Sequence, residues 1–306
     1  MSHDSTYPLL GRHLGNQIGV TLVVLIPFLL VFVAIGMVWG RHISWLDIGL
    51  WAGLQLIGGI GITLGYHRMV THRAFTAKTP SRVFLIWAGL QSMQGGPASW
   101  ASTHRRHHAL ADKPGDPHSP LDGLWHSHIG WMYKGNMVHS GPAYERLMRD
   151  PVIRFFEKTQ ALWYVLTYAL PGLIAFAVTG GSWGAFFQAV LWAGVIRVFI
   201  MHHVTWSVNS ICHAWGTRPY ESPDVSRNNA IIGVLGYGEG WHNNHHAFPD
   251  SAYLGHRWYQ VDLGKYFLWF LRGIGQIKTM KVPTKEERLS RRAVKRTKQK
   301  APAPLA

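Results

Sequence analysis

Apolar residues fall in four long blocks, at positions 18–39, 45–66, 162–179 and 183–204. The first runs 22 residues without a formal charge, and the second is as long with only Asp47 near its start. Each approaches the roughly 20 residues that span bilayer hydrocarbon. Pro27 and Pro171 lie inside such blocks, where a membrane helix tolerates a kink. Trp39 and Trp45 flank the first short loop and Trp183 the second, as suits amphipathic rings at a membrane–water interface. A fifth run, 83–94, has only 12 residues. At about 1.5 Å per residue it cannot cross hydrocarbon ~30 Å thick, so it is expected as an interfacial or cap-buried helix. The pattern predicts an all-α integral membrane protein with four transmembrane helices in two hairpins. Segments 67–161 and 205–280 then form a helical cap, within one domain over 1–280. Buried helices of a soluble bundle fit uncharged runs of this length poorly. A secretory signal fits no better, because the first block exceeds the 7–15 residues of its apolar region.

Charge sharpens that topology. Of 30 Lys and Arg residues, 28 fall on one side of such a fold: Arg12, the 12 from Arg68 to Lys158, and 15 after Val204. Basic loops stay inside, so both termini and the cap are expected in the cytoplasm, with the chain in the cell (inner) membrane. The net charge of +15 is then a topological signal beside membrane helices, and nucleic acid has little support. Arg197, inside the fourth block, is expected to snorkel to the headgroups. From Lys281 to the end, nine basic and two acidic residues predict a disordered tail drawn to anionic lipid.

The candidate chemistry lies in the 19 histidines. His67 and His72 sit where the second block ends; His104, His107 and His108 form one H-x-x-H-H box, and His242, His245 and His246 form another. Neutral imidazole is the commonest metal ligand. On a helix the three positions of each box share one face, with the first between the other two, about 100° apart. Each box can therefore serve two neighbouring ions. His67 and His72, five apart, diverge by about 140° on an α-helix and would also serve different ions. Eight imidazoles exceed one ion's needs and suit two. With two full hairpins, all three groups reach the same membrane face.

Only Glu239-Gly-Trp-His242 has the Glu-x-x-His form of a carboxylate di-iron site. No H-E-x-x-H occurs, and a single cysteine, Cys212, excludes a four-thiolate zinc site and a self-contained iron–sulfur cluster. By ligand type both iron and zinc fit; a His-rich dinuclear site beside a membrane points to iron and dioxygen.

At these residues the chain resembles the membrane fatty acyl desaturases. The three boxes carry the likeness, led by Gly61-Ile-Thr-Leu-Gly-Tyr-His67 and Gly238-Glu-Gly-Trp-His242, with Asp116-Pro-His118, Ser127-His-Ile-Gly-Trp131 and Asn209-Ser-Ile-Cys-His213. The match, from about Gly61 to Asp262, is to the delta-9 branch, which includes animal stearoyl-CoA desaturases and bacterial acyl-lipid enzymes. The resemblance implies two irons held by nine histidines, the ninth being His213, and Asn209 reaching one iron through water. It also implies a bent acyl tunnel whose bend is formed by Gln94, Trp100, Thr205 and Trp206. Gly58, Gly59 and Gly61 leave room for either the chain end or helix packing. Animal acyl-CoA enzymes carry Arg-Asp before the second box, where this chain has Ser102 and Thr103; acyl-CoA and acyl-lipid carriers both stay open.

The implied activity is oxygen-dependent introduction of a cis double bond, at delta-9, into a saturated acyl chain. The sequence lacks a haem-binding His-Pro-Gly-Gly, a ferredoxin cysteine pattern and G-x-G-x-x-G. Two electrons must therefore come from a ferredoxin, a rubredoxin-like protein or a cytochrome with its reductase. A related hydroxylase or alkane monooxygenase is the competing enzyme reading. A His-rich metal transporter fits less well, because its ligands belong at mid-membrane.

Overall fold

The computed structural model describes residues 10–40, 43–135 and 137–293, with side chains described from residue 17 onward. Helix α1 is Leu10–Trp39. Helix α2, Trp45–Ile60, opens on a capping box between Ser44 and Asp47 and continues as a π-helical segment, Gly61–Thr71. Among the described residues, four helices are long and apolar enough to cross a membrane: Gln17–Trp39, Trp45–Thr71, Gln160–Val178 (α5) and Trp183–Ala214. On α1, Leu22, Phe28, Leu29 and Phe32 lie exposed, a contiguous apolar surface that an aqueous protein rarely presents.

Two spans outrun their apolar blocks. The second continues through Thr71, and the fourth extends ten residues past 204 to Ala214. The additional residues mix polar with apolar side chains, among them His67, Arg68, Asn209 and His213, and packing against the rest of the chain keeps them helical where hydropathy alone would end the element. The last part of the fourth span, Arg197–Ala214 (α6), carries Thr205, Trp206, Asn209 and His213.

Helix α3, Thr79–Leu90, matches the expected short helix, with Leu85, Ile86 and Leu90 fully buried. It crosses the π-helical segment backbone to backbone. A Cβ on Gly61 would lie 2.1 Å from Gly89 N, and one on Gly65 would lie 2.2 Å from the Leu85 carbonyl. Gly61 and Gly65 thus form the small-xxx-small pattern of close helix contact, so Gly61 serves packing rather than an acyl chain.

Helix α4, Pro97–Leu110, starts with proline in its first turn. The buried Glu157 carboxylate accepts from Ala98 N–H at 2.7 Å and Ser99 N–H at 3.3 Å. An anion there satisfies orphan donors and complements the helix dipole. Gly96 makes the approach possible, since its Cβ would meet Glu157 Oε2 at 2.2 Å.

Three features depart from the sequence expectations. A two-stranded antiparallel sheet, β1 (Phe75–Ala77) with β2 (Ile277–Met280), pairs Phe75 with Met280. The basic tail is ordered in its first part: Lys285–Ser290 is a helix with a Thr284–Glu287 capping box, and Arg292 bridges to Tyr220. The remainder of that tail, 294–306, lies outside the described residues, as does Arg12's side chain. Finally, Arg197 does not snorkel. It is fully buried, with Nε donating to the Ala193 carbonyl at 2.8 Å. Arg68, also buried, joins the end of the second span to the C-terminal region through two hydrogen bonds to Asp262, at 2.8 and 3.1 Å.

Candidate metal centre

The imidazoles sort into two compact groups. His67, His72, His104, His108 and His245 form one, and His107, His213, His242 and His246 the other; within each group one ligand atom per residue lies within 4.8 Å of the rest. The two H-x-x-H-H boxes divide in mirror fashion. In α4 the outer pair His104 and His108 joins the first group and His107 the second, whereas in α7 (His242–Ala247) the outer pair joins the second and His245 the first. Residues four apart share a helix face and the third turns aside.

His67 and His72 depart from the α-helical expectation by joining the same group. The intervening segment is π-helical, and His72 N–H donates to the His67 carbonyl at 3.1 Å. A ladder of i→i+5 bonds brings residues five apart onto one face. The rings sit 4.8 Å apart, edge to face.

Spacing within the groups fits first-row metal ions. The Nε2 atoms of His67 and His245 are 3.0 Å apart, those of His104 and His108 are 3.0 Å apart, and those of His108 and His245 are 2.9 Å apart. In the second group, His213 and His242 Nε2 are 3.0 Å apart. Two nitrogens at right angles about an ion with bonds of about 2.1 Å are separated by about 3.0 Å. Nε2 of His72, His107 and His246 is buried without a hydrogen-bond partner among the described residues. Such orphaned nitrogens are costly unless they bind a ligand.

Burial keeps the imidazoles neutral. His72, His104, His107, His108, His242 and His245 all lie well below the ordinary histidine range, first through burial and then through neighbouring imidazoles. Neutral imidazole is the metal-binding form.

Four carboxylates orient the rings from behind, and the sequence reading gave none of them a role. Asp116 Oδ1 is 2.9 Å from His107 Nδ1, and Asp224 Oδ2 is 2.8 Å from His246 Nδ1. Asp112 Oδ1 is 3.1 Å from His213 Nδ1, and Glu239 Oε2 is 2.7 Å from His67 Nδ1. Each carboxylate engages Nδ1 and leaves Nε2 directed into its group, the usual outer-shell arrangement of metal-bound histidine. Burial would raise the Asp224 carboxyl, but His246 and Ser226 hold it far below the ordinary range; the same contest, won by His213, lowers Asp112. Asp116 could be noticed from its place nine residues after His107, but Asp224 carries no local signal. His118 adds a ring 4.3 Å from His107 and lies 4.0 Å from Asp116.

Two cavities meet at this centre. The outer one, about 440 Å³, is lined by Gln94, Trp100, His104, Thr205, Trp206 and Asn209 among others. The inner one, about 40 Å³, shares Trp100, His104, Thr205 and Asn209 and is also lined by Gly59, Met201 and Tyr237. At the junction Gln94 Nε2 donates to Thr205 Oγ1 at 2.8 Å, and Trp100 Nε1 donates to Gln94 Oε1 at 3.3 Å. The residues expected at a tunnel bend thus come together there, and Trp206 lines the outer side only. Asn209 lies beside His104 on both walls. Gly58 and Gly59 are explained by neighbours: a Cβ on Gly58 would meet Ser92 Oγ at 2.9 Å, and one on Gly59 the Tyr237 ring at 2.1 Å.

The family model for fatty acid desaturase matches residues 43–266. The chain belongs to the fatty acid desaturase family. It is 38% identical over 273 residues to a hex-5-enoyl-[acyl-carrier protein] acetylenase of Moorena producens (strain JHB), covering 85% of this chain and 84% of that one. A delta-9 acyl-lipid desaturase 1 of Arabidopsis thaliana is 39% identical over 236 residues, covering 76% and 74%. An sn-1 stearoyl-lipid 9-desaturase of Anabaena variabilis is 38% identical over 249 residues, covering 80% and 88%. This desaturase is accordingly an oxidoreductase and a membrane protein that acts on fatty acyl chains, with histidine clusters suited to metal.

Proposed function

We propose that this desaturase introduces a cis double bond at delta-9 into a saturated acyl chain carried on coenzyme A or lipid. The reaction takes one dioxygen, two electrons and two protons, removes two hydrogens from adjacent methylenes and yields two waters. The observation that carries this reading is the junction of both cavities against the histidine centre, where His104 and Asn209 line each side.

The five histidines of the first group and the four of the second would each hold one iron, and Asn209 would reach one of them through water. Two irons with dioxygen supply the oxidising power that breaks unactivated C–H bonds. The chain's residues fix where that power is applied. The Trp100–Gln94–Thr205 hydrogen bonds hold the acyl chain in a bend beside His104, so that one methylene pair is within reach. Asp112, Asp116 and Asp224 hydrogen-bond to their histidines' Nδ1 and fix each ring's orientation, while Glu239 lies 2.7 Å from His67 Nδ1. The apolar walls keep bulk water out.

The spans form two hairpins, with both termini and the cap on the cytoplasmic side of the cell (inner) membrane. The basic face steers an acidic external donor, such as a ferredoxin, rubredoxin-like protein or cytochrome. The relatives' names differ in position and carrier; delta-9 rests on the motif resemblance.

Expression in a host lacking unsaturated fatty acids tests the reading. A new delta-9 monoene is expected. Hydroxylated chains without new double bonds would overturn it in favour of a hydroxylase.

A further inference from the structure

The two cavities differ in their access. The outer one includes exposed Gly19, Val23 and His139 on its rim, whereas every residue lining the inner one is buried or half-buried. An acyl chain entering from the outer cavity therefore ends blindly in the inner one. We propose that Tyr237 is the stopper of that blind end and restricts this desaturase to chains with a short methyl-end segment. The proposal rests on the desaturase reading and adds the chain-length class.

Tyr237 precedes the third histidine box and reaches across to α2. Its ring packs on Gly59, and its hydroxyl donates to the Gln55 carbonyl at 2.9 Å. Its own carbonyl is held by Arg68 Nη2 at 3.3 Å and Gly264 N–H at 3.2 Å, and its φ is +57°. A left-handed tyrosine persists only where its surroundings over-determine it. The ring is therefore a fixed wall.

Met201 also lines the inner cavity, and the groups close to it are unsuited to hydrocarbon. An added Cβ on Gly58 would be 3.5 Å from Met201 Cε and 3.3 Å from Arg197 Nη1. Both terminal guanidinium nitrogens of Arg197 and the Ser92 hydroxyl are buried without hydrogen-bond partners among the described residues. Pressing methylenes against such groups deepens their desolvation.

The length of the blind segment follows from α6. Met201 precedes Thr205 by four residues, about 6 Å along an α-helix. An extended chain with carbon–carbon bonds of about 1.5 Å advances about 1.25 Å per carbon. About five carbons therefore fit beyond the bend. With carbons 9 and 10 at the bend, the favoured chain has about 14 or 15 carbons, and an 18-carbon chain overruns the wall by about three. One surplus methylene in a fixed apolar pocket is discriminated by about tenfold or more.

The full-length enzyme is expressed in a host without its own desaturase and fed myristic, palmitic and stearic acids, with monoenes quantified by chain length. The purified protein is also melted with saturated C14 and C18 acyl esters, a readout independent of turnover. The wild type is expected to favour C14 over C18 by about tenfold or more and to be stabilised more by the C14 ester. Tyr237→Ala, and separately Met201→Ala in the same cavity lining, are expected to move both readouts toward C18. Tyr237→Phe, which keeps the ring, is expected to leave them unchanged. A wild type that uses and binds C18 as well as C14, or unaltered ratios in whichever of the two alanine variants folds, would overturn the stopper. No monoene from any chain length would instead defeat the desaturase reading, and the melting series would still decide the stopper.

Discussion

Glu239 Oε2 lies 2.7 Å from His67 Nδ1, joining the third histidine box to the first from behind the metal-facing nitrogens. The same carboxylate accepts from the Thr63 hydroxyl and lies 3.9 Å from Arg68. Glu239→Gln is expected to weaken metal binding selectively in the five-histidine group, by about 10- to 100-fold. Chelator titration of the purified protein measures it. Equal weakening at both positions would contradict the assignment of Glu239 to one group.

Asp116→Asn and Asp224→Asn are expected to act on the other group, because they engage His107 and His246. Combining Glu239→Gln with Asp116→Asn should then weaken both metals. If the double variant resembled either single variant in metal titration, the two-group division would fail.

Histidine neutrality makes stability depend on pH. The buried box histidines lie below the ordinary value of 6.5 in the folded chain. The unfolded chain therefore binds protons first as pH falls. Their contribution to stability is complete above about pH 6.5 and is lost as pH drops from there toward the lowered folded values. Thermal melts of metal-free protein at pH 8, 6.5 and 5 are expected to show a flat upper range and a falling lower one. Melting temperatures independent of pH over that range would contradict the neutral, buried state.

The bend is tested by Thr205→Val, which preserves shape but removes the acceptor for Gln94. Loss of that hydrogen bond is expected to spread the double bond over neighbouring positions while leaving metal content unchanged. Mass spectrometry of derivatised products locates the bond. A product still confined to one position would show that the bend is set elsewhere.

Glu157→Ala should destabilise the fold by about 1–2 kcal/mol, the usual cost of losing a helix N-terminal acceptor. Chemical or thermal unfolding in detergent checks it. An unchanged midpoint would mean that Ala98 and Ser99 find other acceptors.

Much of this architecture was legible in the sequence because hydropathy and ligand spacing are local signals. The four membrane-capable helices lie where the apolar blocks predict them, and the boxed histidines stand out by repetition. The remainder depended on tertiary geometry. His67 and His72 share a group because Gly61–Thr71 is π-helical, and an α-helical period cannot reveal that. Asp224 reaches His246 from 22 residues upstream, with no motif to announce it. Arg197 is turned inward although its position near a span end suited snorkelling. His213 came from resemblance alone, and α6 brings it to His242.

Iron analysis of the purified desaturase tests the central claim most directly. The wild type is expected to hold about two irons per chain, and His107→Ala combined with His245→Ala, one ligand from each group, should lose most of both. Iron content unchanged in that folded double variant would contradict the assignment of the histidine centre.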